Sequence, residues 1–207
     1  MGNPITRWLR RLRYGREVVI VSGLPRSGTS MMMKMLDAGG LEIMTDGLRS
    51  ADEDNPRGYF EVERVKDLEK EKDKSYIRDA RGKVLKVISF LLKELPEDCA
   101  YRVVYMRRDL GEVVASQNKM LDHRGEENPI RDERAIDLYR KHLISTRVFT
   151  GMSPRFEVLE VGYRDVLDDP ERLARRVDAF LGGRLDVKRM AEAVDPDLYR
   201  NRAEQLP

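Results

Sequence analysis

The chain has 207 residues, of which 41% are hydrophobic and 37% charged, enough for a single domain over 1–207 with a sizeable core and too few for a second full domain. Its 39 Lys and Arg nearly balance 37 Asp and Glu, so composition gives no reason to expect a nucleic-acid binder, and any anion site must be local. Cys99 is the single cysteine, which excludes an intramolecular disulfide, offers no cysteine cluster for a metal and fits a cytoplasmic location. No apolar run approaches the roughly 20 residues that cross a bilayer, and the start lacks a secretory stretch.

Residues 1–15 form a basic lead-in. The run Met1 to Thr6 formally satisfies a myristoylation pattern, but so short a pattern recurs by chance. From Trp8 to Arg16, Trp8, Leu9 and Leu12 alternate with Arg10, Arg11, Arg13 and Arg16. Such a segment reads either as a basic helix on an anionic surface or as a short helix docked on the body, and docking is the expectation.

Glu17 to Val21 is a β-branched run ending at Ser22-Gly23, the pattern of a central strand buried on both faces of a parallel sheet. A helix is expected over Ser30 to Ala38, stopped by Gly39-Gly40. Asp46 to Gly58 is rich in Asp, Asn, Gly and Pro and reads as an exposed loop. There follow a charged helix over Val62 to Lys74, a strand at Lys83 to Ile88 and a short helix ending near Pro96. A strand at Tyr101 to Met106 then feeds a helix over Leu110 to Leu121, with a long helix over Arg131 to Phe149. The last strand is Arg155 to Val161, and a helix over Pro170 to Leu181 closes at Gly182-Gly183. Residues 184–207 are left as a C-terminal tail. Strands alternating with helices imply a three-layer α/β fold with a parallel, doubly wound sheet.

The stretch Gly23-Leu24-Pro25-Arg26-Ser27-Gly28-Thr29-Ser30 joins a buried strand to a helix. Loop and first-turn amides there face a concavity, and the helix dipole adds positive potential, so an anion fits. The spacing nearly reproduces the P-loop of nucleotide triphosphatases, but Thr29 stands where that pattern needs lysine. Arg26 supplies a cation from another direction. Beyond the Tyr101 strand, Arg108 sits at a carboxyl end, and Ser116 follows about two helical turns later. Both can face the crevice where α/β sheets bind ligands.

With these residues in view, the sequence resembles the sulfotransferase family, which joins a P-R-S-G-T-S loop to a later R-D-x-x-x-V-x-x-S segment. The resemblance implies 3′-phosphoadenosine-5′-phosphosulfate as co-substrate and no metal. It assigns Arg26, Ser27, Gly28, Thr29 and Ser30 to the 5′-phosphosulfate, and Arg108 with Ser116 to the 3′-phosphate. Val161 to Pro170 is similar to the family's Y-E-D-L-x-x-D-P segment, which gives Tyr163 the adenine. Asn55 to Glu61 resembles an N-P-x-G-Y-x-E stretch of bacterial members, and Asp195 to Arg202 resembles their C-terminal end. The mammalian K-T-H stretch is absent, and Lys86-Val87-Ile88-Ser89 stands where many bacterial members have K-D-P-R.

For chemistry, Lys86 is a candidate to neutralise the bridging oxygen and Arg26 to stabilise the leaving nucleotide. Glu61 is the candidate base, with partial burial beside Tyr59 and Phe60 expected to raise its pKa; Glu63 is the fallback. His123 and His142 are expected to be solvated helix residues. The implied partner is a small-molecule acceptor. A P-loop kinase and a catalytically inactive nucleotide-binding module are the alternative readings.

Overall fold

The structure is a computed structural model, which describes residues 4–46, 60–126 and 128–195. Four strands form one parallel sheet in the order β2-β1-β3-β4, with β1 at Val18–Gly23, β2 at Val84–Lys86, β3 at Tyr101–Arg107 and β4 at Phe156–Gly162. The expected first strand is indeed interior, and every residue of it is buried. Its β-branched side chains alternate between two cores. Val18 and Ile20 point to one face with Leu68, Leu92, Val103 and Phe156. Val19 and Val21 point to the other with Met32, Leu36, Val104 and Val177.

The first face is covered by 3-10 turns at Ser75–Ala80 and Ser89–Glu94, together with a long helix; the second is covered by four helices. In chain order the helices are α1 (Pro4–Tyr14), α2 (Thr29–Ala38), α3 (Glu63–Lys66), α4 (Leu110–His123), α5 (Asp132–Met152), α6 (Tyr163–Asp168), α7 (Pro170–Leu181) and α8 (Val187–Glu192). Helix α7 has the bounds its sequence announces. The Asp169 carboxylate accepts from the Arg172 amide at its start, and Gly182 ends it at φ 119°, where a residue with a Cβ is strained.

Three expectations need correction. The charged segment from Val62 does not continue as a helix to Lys74: α3 is four residues long, and a 3-10 turn follows at Ser75. Val65, Leu68, Tyr76 and Ile77 all enter the first core, and the Arg64 guanidinium bonds both Glu71 carboxylate oxygens. The chain makes these contacts through turns at 67–70 rather than through one continuous helix. The 184–207 tail also contains structure, because α8 buries Met190 completely against α2 and α7. Finally, α6 occupies Tyr163–Asp168, where no element was expected.

The sheet order creates the crevice. The chain leaves β1 toward β2 on one side and leaves β3 toward β4 on the other, so the carboxyl ends of β1 and β3 flank a topological switch point. Met190→Ala is expected to destabilise the protein by about 2–5 kcal/mol in urea unfolding, as for other fully buried methionines. An unchanged midpoint would mean that α8 does not hold the second core.

Candidate functional site

The loop between β1 and α2 is shaped by two backbone positions with positive φ, Arg26 at 67° and Gly28 at 96°. Inside it the Ser27 hydroxyl donates to the Leu24 carbonyl at 2.7 Å, and the Ser27 amide bonds the same oxygen at 3.2 Å. Ser27 is therefore a buried brace of the loop. Gly28 precedes α2 without a side-chain cap, and the start of a helix is where backbone amides can face an anion. A Cβ on Gly28 would fall 2.3 Å from the Tyr163 ring, which shows how closely that ring covers the loop.

The second half of the site closes on the first. Arg26 Nε donates to Ser116 Oγ at 3.0 Å, joining loop to α4. Arg108 Nη1 donates to the Arg26 carbonyl at 3.1 Å, and Arg108 Nε donates to Glu112 Oε2 at 2.8 Å. The guanidinium also lies 4.5 Å from the Tyr163 ring centroid, in cation–π range. Burial raises the Tyr163 pKa, against a smaller opposing effect of Arg108. Arg26, Ser27, Gly28, Arg108, Ser116 and Tyr163, spread over most of the sequence, thus form one connected constellation. Glu112 was missed by the sequence reading, although its position four residues after Arg108 on a helix was the available signal. The side chains of Arg108 and Glu112 are 8% and 4% exposed.

On the other side of the loop, Lys86 ends β2 with a side chain only 7% exposed. Its ammonium donates to Ser30 Oγ at 3.2 Å and to Glu61 Oε1 at 2.9 Å. Glu61 also lies 3.5 Å from the Lys66 ammonium, and its carbonyl accepts from Thr45 Oγ1 at 3.0 Å. The Glu61 side chain is partly buried, 18% exposed, and the cations beside it were not foreseen. Two ammonium groups face the carboxylate; Tyr59 lies outside the described residues, as do 47–58. Glu63 is exposed and pairs with Lys66.

His142 departs from expectation as well. It is partly buried, its Nε2 lies 2.8 Å from Ser89 Oγ, and its ring stacks on Phe90 at 3.9 Å. Burial, with a smaller effect of Lys93, lowers its pKa. His123 is exposed at the end of α4. Among the described residues no group of three or more His, Cys, Asp or Glu is placed to hold a metal.

The fold is that of sulfotransferases. The chain is similar to a sulfotransferase from Alicyclobacillus acidocaldarius, with 16% identity over 88% of each chain and a TM-score of 0.50. It is also similar to the sulfotransferase domain from the curacin biosynthetic pathway, with 12% identity over 88% of this chain and 79% of that one and a TM-score of 0.49. No family model and no curated protein matches the sequence.

The lowered His142 pKa fixes the sign of a pH effect. As pH falls below about 6.5, the unfolded chain takes up a proton at His142 that the folded protein resists. Stability is then lost until pH passes the folded value. His142→Gln is expected to flatten the fall in melting temperature between about pH 7.5 and 5.5, and an identical slope in the variant would contradict this account.

Proposed function

We propose that the protein transfers a sulfuryl group from 3′-phosphoadenosine-5′-phosphosulfate to a hydroxyl or amine of a small-molecule acceptor. The observation that carries this reading is the direct connection of loop and α4, Arg26 to Ser116 and Arg108 to the Arg26 carbonyl. It brings together two clusters of anion-binding groups, suited to a ligand with phosphates at both ends. The loop from Ser27 to Ser30, at the start of α2, and the Arg26 side chain would take the 5′-phosphosulfate. Arg108 and Ser116 would take the 3′-phosphate, and the Tyr163 ring would border the adenine.

Lys86 supplies the cation that Thr29 does not. From β2 it reaches Ser30 at the start of α2, where it can neutralise charge on the bridging oxygen as the sulfur–oxygen bond breaks. The acceptor oxygen or nitrogen forms the new bond to sulfur, its proton passes to Glu61, and 3′-phosphoadenosine-5′-phosphate leaves. Glu61 is ion-paired with Lys86, so the group receiving the proton and the group facing the leaving oxygen are electrostatically linked. The lysine position also argues against a kinase: the clamp lysine of a nucleotide triphosphatase belongs at Thr29.

The test is a thermal-shift comparison of 3′-phosphoadenosine-5′-phosphate with adenosine 5′-phosphate, without added magnesium. The bisphosphate is expected to give the larger shift, and equal shifts would overturn the proposal. Arg108→Ala alone is a poor probe, because it strands the buried Glu112 at a cost of about 3–5 kcal/mol. The double variant Arg108→Met with Glu112→Gln removes both charges, and it should lose about 10- to 100-fold of the preference.

Glu61→Gln leaves Lys86 without its carboxylate, so its melting temperature and nucleotide thermal shift are measured first, and in the folded variant binding and chemistry are then read separately. With the base role assigned above, kcat falls roughly 10²–10⁴ while nucleotide affinity stays nearly constant. Full turnover in steady-state assays would remove Glu61 from the mechanism.

A further inference from the structure

Helix α1 is attached to the body by the side opposite to its apolar stripe. Arg10 Nη1 donates to Glu157 Oε2 at 3.1 Å, and Arg10 Nη2 donates to the carbonyls of Tyr101 and Arg155 at 3.2 and 2.8 Å. Tyr14, four residues on, is buried. At about 100° per residue, Arg10 and Tyr14 share one face of the helix, and Trp8, Leu9 and Leu12 share the opposite one. These three are 61%, 53% and 65% exposed. The docked helix expected from sequence is present, but a cation and a tyrosine dock it.

Arg11 and Arg13 project between these faces, one on each side of the stripe, and both are exposed. No acidic residue occurs in the first 16 positions. An outward apolar stripe flanked by an arginine on each side matches a surface that is anionic at the level of the guanidiniums and apolar just below it.

We propose that α1 docks the protein on the surface of an anionic lipid bilayer, with Trp8, Leu9 and Leu12 entering the interface and Arg11 and Arg13 lying among the headgroups. The attachment at Tyr101 and Arg155 is at the amino-terminal ends of β3 and β4, whereas the candidate site is at the carboxyl ends. The length of β3 therefore separates them, about 23 Å for seven residues. Docking leaves the crevice facing water, open to a soluble nucleotide.

Trp8 is the only tryptophan, so its fluorescence reports on this helix alone. The full chain, purified without acylation, is mixed with vesicles of phosphatidylcholine or of phosphatidylcholine containing about one part in four of phosphatidylglycerol. Cosedimentation and a blue shift of Trp8 emission are expected with the anionic vesicles only, and added salt should weaken both. Trp8→Ser with Leu12→Ser should lower the bound fraction about tenfold, as should Arg11→Glu with Arg13→Glu. Neither pair belongs to the crevice, and an unchanged far-UV circular dichroism spectrum and melting temperature certify the fold.

Failure to bind anionic vesicles would overturn the proposal, as would equal binding by the variants. A Trp8 emission already blue-shifted without vesicles and reversed on dilution would also overturn it, by identifying a second copy as the occupant. These outcomes are independent of whether the crevice holds a sulfonucleotide.

Discussion

The geometry of the crevice depends on the parallel pairing of β1 with β3, which sets Gly23 opposite Met106 and ends both strands at one level. The fit at that point is tight, since a Cβ on Gly23 would lie 2.7 Å from the Met106 carbonyl and 2.4 Å from Ser27 Oγ. Glycine there lets the chain turn at once into the loop, against the end of its neighbour. Arg108, two residues beyond Met106, is consequently within reach of the Arg26 carbonyl. A register slip of one residue would exchange the two faces of β3 and carry Arg108 away from the loop.

Two ion pairs, one buried and one partly buried, then fix charged side chains on either side of the loop, Arg108 with Glu112 and Lys86 with Glu61. Such pairs add little net stability, because desolvation offsets much of their attraction, but removing one partner is costly. Their effect here is positional. Arg108 is held by Glu112, the Arg26 carbonyl and the Tyr163 ring, while Lys86 is held between Ser30 and Glu61. Cations placed this way need little reorganisation when an anion arrives.

The amino-terminal ends of the strands carry a different network. Arg102, buried in β3, donates to the Phe180 carbonyl at 3.0 Å and pairs with Glu17 at 2.8 Å. Arg10 lies between Glu17 and Glu157. These charges tie α1 and the end of α7 to the amino-terminal ends of the strands, so the helix with the exposed apolar stripe and the crevice are built at opposite ends of the same strands.

The sequence by itself determined the elements whose signals are local. The β-branched run before Gly23, the glycine stop after α2, and the Asp169-Pro170 start with the Gly182 stop of α7 all act within a few residues, through steric and hydrogen-bond rules that need no partner. It also singled out Arg26 in the loop after a strand, Arg108 at a strand end and Ser116 two turns into the following helix, while Tyr163 came from the resemblance to sulfotransferases. Tertiary structure alone decided what depends on residues far apart in the chain. Arg26 and Ser116 are separated by 90 positions, and Lys86 and Glu61 belong to segments with no local reason to meet. The short α3 and the buried pairing of Glu112 with Arg108 likewise appear only in the folded chain. The same holds for α1: sequence supplies an amphipathic helix, but which of its faces is buried was settled by carbonyls of Tyr101 and Arg155 that only the folded sheet brings to Arg10.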